Sequence, residues 1–168
     1  MRVLEIMGSL HRGGAETMIM NYYRAFDKQL CQMDFVVHAR FDNDYCQEAE
    51  QMGAKIIELH RPGQIGPFRY IKELSDAVKR YGPYDAVHIH TNYQAFLSII
   101  AAYFAGIRKI FVHSHTAKYS GTWIYINRYV MKVFGVKRLA CGRAAGNAFF
   151  GREPYTIINN AIDIKKYK

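Results

Sequence analysis

Short runs of apolar, largely β-branched residues recur along this chain, and between them lie longer stretches whose apolar positions fall three and four residues apart. Side chains alternate faces along a strand and return to one face of a helix every 3.6 residues, so the two spacings separate the two kinds of element. The pattern predicts strands over residues 3–7, 34–37, 55–59, 86–89, 109–112, 138–140 and 155–158. It predicts helices, each with one buried face, through Met18, Ile19, Tyr22, Tyr23 and Phe26, through Phe68, Ile71, Leu74 and Val78, and through Phe96, Ile99, Ile100, Tyr103 and Phe104. A weaker helical segment covers residues 45–52. Gly53, Gly82 and Gly106 follow three of these helices, where a residue that tolerates positive φ can end the last turn. Strands alternating with helices predict an α/β fold, a doubly wound parallel sheet with helices on both faces.

Residues 124–134 are apolar around most of a helical circumference, apart from Asn127, Arg128 and Lys132. Such a segment is either a buried helix, the commoner case, or a surface helix that meets a membrane or a partner. Residues 60–66, with Pro62 and Gly63, read as a turn-rich loop.

The length of 168 residues, half of them hydrophobic, suits one well-cored domain covering 1–168. The longest apolar stretch, 95–107, contains Ser98 and Gly106 and falls short of the roughly 20 residues that span a bilayer. The first residues place Glu5 inside their only apolar run and offer no small-residue cleavage site, so no secretion signal is expected. Cys31, Cys46 and Cys141 are widely spaced and form no C-x-x-C arrangement, which points away from a disulfide framework and towards a reducing cytoplasm.

The net charge of +9 is unevenly placed. Residues 1–84 carry 11 basic and 11 acidic side chains, whereas residues 85–168 carry 12 and 3. A basic second half is either a solvated face or a surface for an anionic partner such as a phosphate-bearing substrate or an anionic membrane. No arginine-rich run or aromatic-glycine motif is present, so nucleic acid is not an expected partner.

The first strand runs into Gly8-Ser9-Leu10-His11-Arg12-Gly13-Gly14-Ala15-Glu16, with a helix starting at the paired glycines. Gly13 and Gly14 would let the backbone pass close to a ligand, with the free N–H groups of the first helical turn pointing at it. A plain flexible turn is the alternative. The spacing is neither the dinucleotide fingerprint nor a P-loop. Two H-x-H pairs, His88 with His90 and His113 with His115, end two predicted strands. In an open parallel sheet the ligand crevice lies at those carboxyl ends. Period-two geometry puts both imidazoles of a pair on one face. His88 and His113, inside hydrophobic runs, are expected to pack inward, leaving His90 and His115 nearest the crevice. Four histidines could hold zinc, but few acidic residues lie near these strands in sequence to orient them, so no metal is expected.

Arg2-Val3-Leu4, Gly8 with Arg12-Gly13-Gly14-Ala15-Glu16-Thr17, Tyr84-Asp85-Ala86-Val87-His88-Ile89-His90, His113-Ser114-His115 and Ile157-Ile158-Asn159-Asn160-Ala161-Ile162-Asp163 occur in an order that resembles the family 4 retaining glycosyltransferases, including bacterial exopolysaccharide and capsule enzymes. The resemblance implies a Rossmann-like domain, the N-terminal, acceptor-side half of a GT-B fold, with the C-terminal nucleotide-sugar-binding domain absent from this chain. It further implies transfer of a sugar, with retention, from a nucleotide-sugar donor, expected to be a UDP-sugar, to a glycan or lipid-linked acceptor. No cofactor or metal is implied. His115 would contact the transferring sugar, and Gly13, Gly14, Glu16, His90 and Asn160 would bind substrate. The motif's usual proline-asparagine-glycine reads Asn159-Asn160-Ala161 here, and Cys141 replaces a serine common after the sixth strand. The isolated chain is expected to be inactive. It would be cytoplasmic, with peripheral contact at the inner face of the plasma membrane. Two readings from other classes stand beside this one: a non-catalytic docking domain of the same fold, and a metal-dependent hydrolase built on the four histidines.

Overall fold

The computed structural model describes residues 1–161 apart from Asn92 and Ser120. Ile162 and Asp163, the end of the closing motif, lie outside the described residues. The strands are β1 (Arg2–Ile6), β2 (Gln32–Val37), β3 (Ile56–Glu58), β4 (Ala86–Ile89), β5 (Ile110–Ser114), β6 (Lys137–Ala140) and β7 (Thr156–Ile157). All pair in parallel in one sheet of order β3-β2-β1-β4-β5-β6-β7. The order reverses between β1 and β4, which is where such sheets open a crevice at their carboxyl edge.

The sheet buries two cores because successive side chains leave it on opposite faces. Leu4, Ile6, Val87, Ile89, Ile110 and Val112 pack with the helices α4 (Pro67–Tyr81), α5 (Ala95–Phe104), α6 (Trp123–Val133) and α7 (Arg143–Phe150). On the other face Met7, Met33, Phe35 and Val37 pack with α1 (Gly14–Ala25) and α2 (Cys46–Gln51). Helices therefore cover both faces, as the alternation predicts. A groove of about 350 Å³ opens between α1 and the strands β4 and β5, and Glu5, His88 and His113 are among its lining residues.

Four local expectations change. Residues 62–65 form a short helix, α3 (Pro62–Ile65), instead of a loop, because proline presets φ at the first helical position and the Gln64 Oε1 accepts the Arg61 N–H at 2.7 Å. Helix α7 carries too few apolar positions to announce itself, and Gly146 interrupts its pattern. A Cβ there would lie 2.3 Å from the Tyr155 ring, so close approach demands the glycine. Gly82 ends α4 at φ −63, not in the left-handed region; a Cβ there would stand 2.8 Å from the Val78 carbonyl oxygen. Helix α6 lies on the surface, burying Val130 and Met131 on its inner face. Tyr125, Tyr129 and Val133 are exposed, while Asn127 is buried, accepting from the Phe96 N–H and donating to the carbonyls of Tyr93 and Trp123. The amide thus caps the first turn of α5, satisfying a backbone donor that has no partner within its own helix.

Candidate functional site

All seven strands being parallel, the residues that follow β1, β4 and β5 come out at one end of the sheet. Gly13 and Gly14 open α1 there, His90 follows β4, and His115 follows β5. Gly13 is the N-cap at φ −94, an ordinary value, and no side chain caps the helix. A Cβ at position 14 would meet nothing within 4 Å, so neither backbone conformation nor packing requires glycine there. The Glu16 carboxyl lies over Gly13, 2.5 Å from where a Cβ would stand, and burial raises its pKa. A carboxyl beside the uncapped N–H groups competes with phosphate and favours hydroxyl donors as ligands there.

The four imidazoles occupy one face of the sheet, as period two predicts, and form a two-by-two array. Ring centroids are 4.1 Å apart for His88 and His90, 4.2 Å for His113 and His115, 5.4 Å for His88 and His113, and 5.1 Å for His90 and His115. Beside them on the same face lies Glu5 of β1, fully buried and in register with His88. Its Oε2 is 2.8 Å from His90 Nε2 and 3.0 Å from His88 Nδ1. Burial raises the Glu5 carboxyl, but His88 and His90 outweigh it and hold it down to about 2.

An ionised carboxylate only accepts, so His90 donates its Nε2 proton to Glu5. Its Nδ1 then carries a lone pair, and His115 Nε2, 2.8 Å away, donates to it. His115 is left with its Nδ1 lone pair free, an acceptor fixed in tautomer by a carboxylate two imidazoles away. Burial first, then the neighbouring imidazoles, lowers His90 to about 4, His115 to about 3 and His113 to about 2. These rings are neutral at physiological pH, so His115 can orient a hydroxyl but is not a resident cation.

The structure corrects which histidines face outward. His90 is only 7% exposed, with both nitrogens engaged, and does not line the open crevice. His113 is enclosed at 1% exposure, and both it and the more exposed His88 border the groove beside α1. The crevice is a cleft of about 410 Å³ lined by Gly8, His38, Arg61, Tyr70, Thr91 and Gln94 among others. His38 Nδ1 lies 2.9 Å from the Met7 carbonyl oxygen and Nε2 2.9 Å from the Tyr70 hydroxyl, so its tautomer is also set by its surroundings. The strand-end rule that marks His90 and His115 applies equally to His38, one residue past β2. Tyr70 and Arg61 carry no such signal, being brought in by α4 and the turn before α3. Asn160 is exposed beside α1, where the Asn159 carbonyl accepts from Tyr22 Oη at 3.0 Å and the Ala161 carbonyl from Asn21 Nδ2 at 2.9 Å. It does not join the histidine array.

The parallel sheet, its switch point and the polar residues gathered at the carboxyl edge define a Rossmann-like domain of the GT-B type. The chain belongs to glycosyltransferase family 4, whose model matches residues 12–166. It is 33% identical to EpsF of Bacillus subtilis (strain 168), which carries a glycosyltransferase name, over 99% of this chain and 46% of that protein. Among solved structures it superposes on Anabaena HepE in complex with UDP and glucose (TM-score 0.76, 18% identity, 99% of this chain and 46% of that one). It superposes equally on a glycosyltransferase from Rickettsia africae (TM-score 0.76, 12% identity, 99% and 44%). At those identities the structural likeness speaks to the fold. The chain spans about half the length of the relatives it matches.

Proposed function

We propose that this chain is the acceptor-side domain of a glycosyltransferase that moves a sugar, with retention, from a UDP-sugar to a glycan or lipid-linked acceptor. The observation that carries the reading is the chain of hydrogen bonds from Glu5 through His90 to His115, which fixes the tautomer and orientation of a partly buried imidazole that follows β5 at the carboxyl edge of the sheet. Such a group, set in place before reaction, positions a substrate hydroxyl without reorganising during the step. The uncapped first turn of α1, with Gly13, Gly14 and Glu16, would hold further hydroxyls. Asn160, on the segment leaving the domain, would meet substrate from the side of the missing half. The UDP and glucose named with HepE support the choice of donor. The transfer step is assigned no cofactor and no metal. A second, donor-binding domain completes the cleft in the longer protein; without it water is not excluded and the domain alone does not turn over.

A membrane-surface role accompanies this reading, since the acceptor classes include lipid-linked glycans. No helix among the described residues is long and apolar enough to cross a membrane. The exposed Trp123, Tyr125, Ile126 and Tyr129 of α6, beside Lys132, give the mixture of aromatic and basic groups that settles at a bilayer interface. The cytoplasmic face of the plasma membrane is the proposed location.

The deciding experiment is steady-state transfer by the longer protein from a panel of nucleotide sugars, run beside residues 1–168 alone. Turnover that requires the second domain and selects a UDP-sugar supports the reading. Multiple turnover by residues 1–168 refutes the assignment of this chain as half an enzyme.

A further inference from the structure

We propose that His88, His90 and His113 form a binding site for a divalent cation of the zinc class, with Glu5 holding two of the three rings in place. One ring nitrogen from each histidine can be chosen so that all lie within 4.8 Å of one another. Zinc–nitrogen bonds of about 2.0–2.1 Å place tetrahedral ligands roughly 3.4 Å apart, so closure takes modest ring rotations and no movement of the strands.

A second observation is independent of that distance. Seven buried side-chain nitrogen and oxygen atoms among the described residues lack a hydrogen-bond partner, and five belong to this array: Glu5 Oε1, His88 Nε2, both nitrogens of His113, and His115 Nδ1. Folded proteins leave few such atoms, so their concentration in one place marks a site that something else completes. His113, 1% exposed and bonded to nothing through either nitrogen, is the sharpest case.

The donor set selects the ion. Imidazole suits zinc, copper and nickel, whereas calcium and magnesium demand oxygen ligands. Ligating histidines commonly give their other N–H to a carboxylate, which fixes tautomer and ring orientation. Glu5 stands in that relation to His88 Nδ1 and His90 Nε2. His90 would exchange its contact with His115 for the cation, and the fourth position falls to water or to His115 itself. The groove of about 350 Å³ beside α1 reaches Glu5, His88 and His113 and provides the entry path. Cation binding at His90 and the orientation of His115 through His90 exclude one another, and the titration below reads the cation site without reference to transfer.

The test uses the 168-residue chain, freed of any affinity tag, stripped with chelator and titrated with Zn²⁺ alone and with Co²⁺ alone. One equivalent of Zn²⁺ is expected to bind with a dissociation constant of about 1 µM or tighter, raising the melting midpoint by several degrees. Co²⁺ is expected to give the intense visible absorption of a tetrahedral site. His88→Ala and His113→Ala should each weaken Zn²⁺ binding at least 100-fold, Glu5→Gln about 10–100-fold, and the exposed His60→Ala not at all. No bound equivalent, a weak octahedral-type Co²⁺ spectrum in the unmodified chain, or unchanged affinity in folded His88→Ala protein overturns the proposal. The Co²⁺ spectrum decides the matter even if a variant fails to fold.

Discussion

Glu5 and His90 are 85 positions apart in the chain, and their side chains meet at 2.8 Å inside the sheet. The contact exists because β1 and β4 are neighbours at the point where strand order reverses, although 79 residues of chain between Ile6 and Ala86 wind the other half of the sheet first. Through it one oxygen of a fully buried carboxylate is satisfied, and the orientation of His115 is set.

The first expectation concerns that pair. His90→Leu removes one of the two imidazoles on a buried carboxylate and leaves His115 Nε2 without its acceptor. His90 is neutral, so what is lost is a hydrogen bond to a buried charged group, a cost of about 1.5–3 kcal/mol with the contact to His88 remaining. Urea unfolding of the variant measures it; a loss under about 1 kcal/mol would show that Glu5 does not depend on His90.

His115→Ala in the longer protein should lower turnover about 100- to 1000-fold with little change in melting temperature, since the loss of one preorganised polar contact is felt in the transition state. His113→Ala should act the other way, mainly through stability, by leaving a cavity among buried rings. Transfer kinetics and thermal melts on the same samples separate the two. Near wild-type turnover in folded His115→Ala protein ends the assignment.

Gly14→Ala separates a ligand-binding loop from a flexible turn. Nothing within 4 Å opposes a methyl group there, and alanine is worth up to about 1 kcal/mol more than glycine in a helix. The variant should be as stable as the parent or slightly more so. If substrate approaches the backbone at this point, its KM rises about tenfold or more while the melt does not fall; unchanged kinetics would leave Gly14 as part of a turn.

The Cys46 thiol is pushed up to about 12 by burial, reinforced by Asp44. Thiolate is the reactive form, and at pH 8 only about one part in ten thousand would be ionised. Cys46 should resist a thiol reagent in the native chain at pH 8 and react after denaturation, with reactivity rising only as the pH approaches 12. Peptide mass mapping of the labelled protein checks this.

Helix α6 provides a test of the membrane surface. Tyr125 and Tyr129 are 69% and 70% exposed, so replacing both with serine should change stability by no more than about 0.5 kcal/mol per site. Sedimentation with phosphatidylglycerol vesicles should drop several-fold in the double variant and fall with added salt for the parent, as interfacial burial and basic attraction each require. Equal sedimentation by parent and variant removes α6 from the contact.

Much of the architecture can be read directly. Leu4 and Ile6 alternate with Val3 and Glu5, and Leu74 and Val78 return at helical spacing, so element type and the parallel class follow from local periodicity. That His90 and His115 follow strands at the carboxyl end of the sheet is legible because strand ends in such a sheet all point the same way, but not that His90 is enclosed there. Elements whose signal is weak locally escape: α7 is held by Phe149, Phe150 and the fit of Gly146 under Tyr155, and the outward aromatic face of α6 cannot be told from a buried one without its neighbours.

By itself, then, the order of apolar and polar residues determined an α/β domain with its histidine pairs and glycine loop at one edge, because periodicity and strand direction are properties of neighbouring residues. Tertiary structure alone decided that Glu5 lies beside the imidazoles, that His90 is enclosed while His88 faces a groove, and that His38, Arg61 and Tyr70 line the cleft. Those facts depend on which strands and helices become neighbours across tens of residues, and the winning arrangement is the one that buries both sheet faces together, which no local pattern encodes.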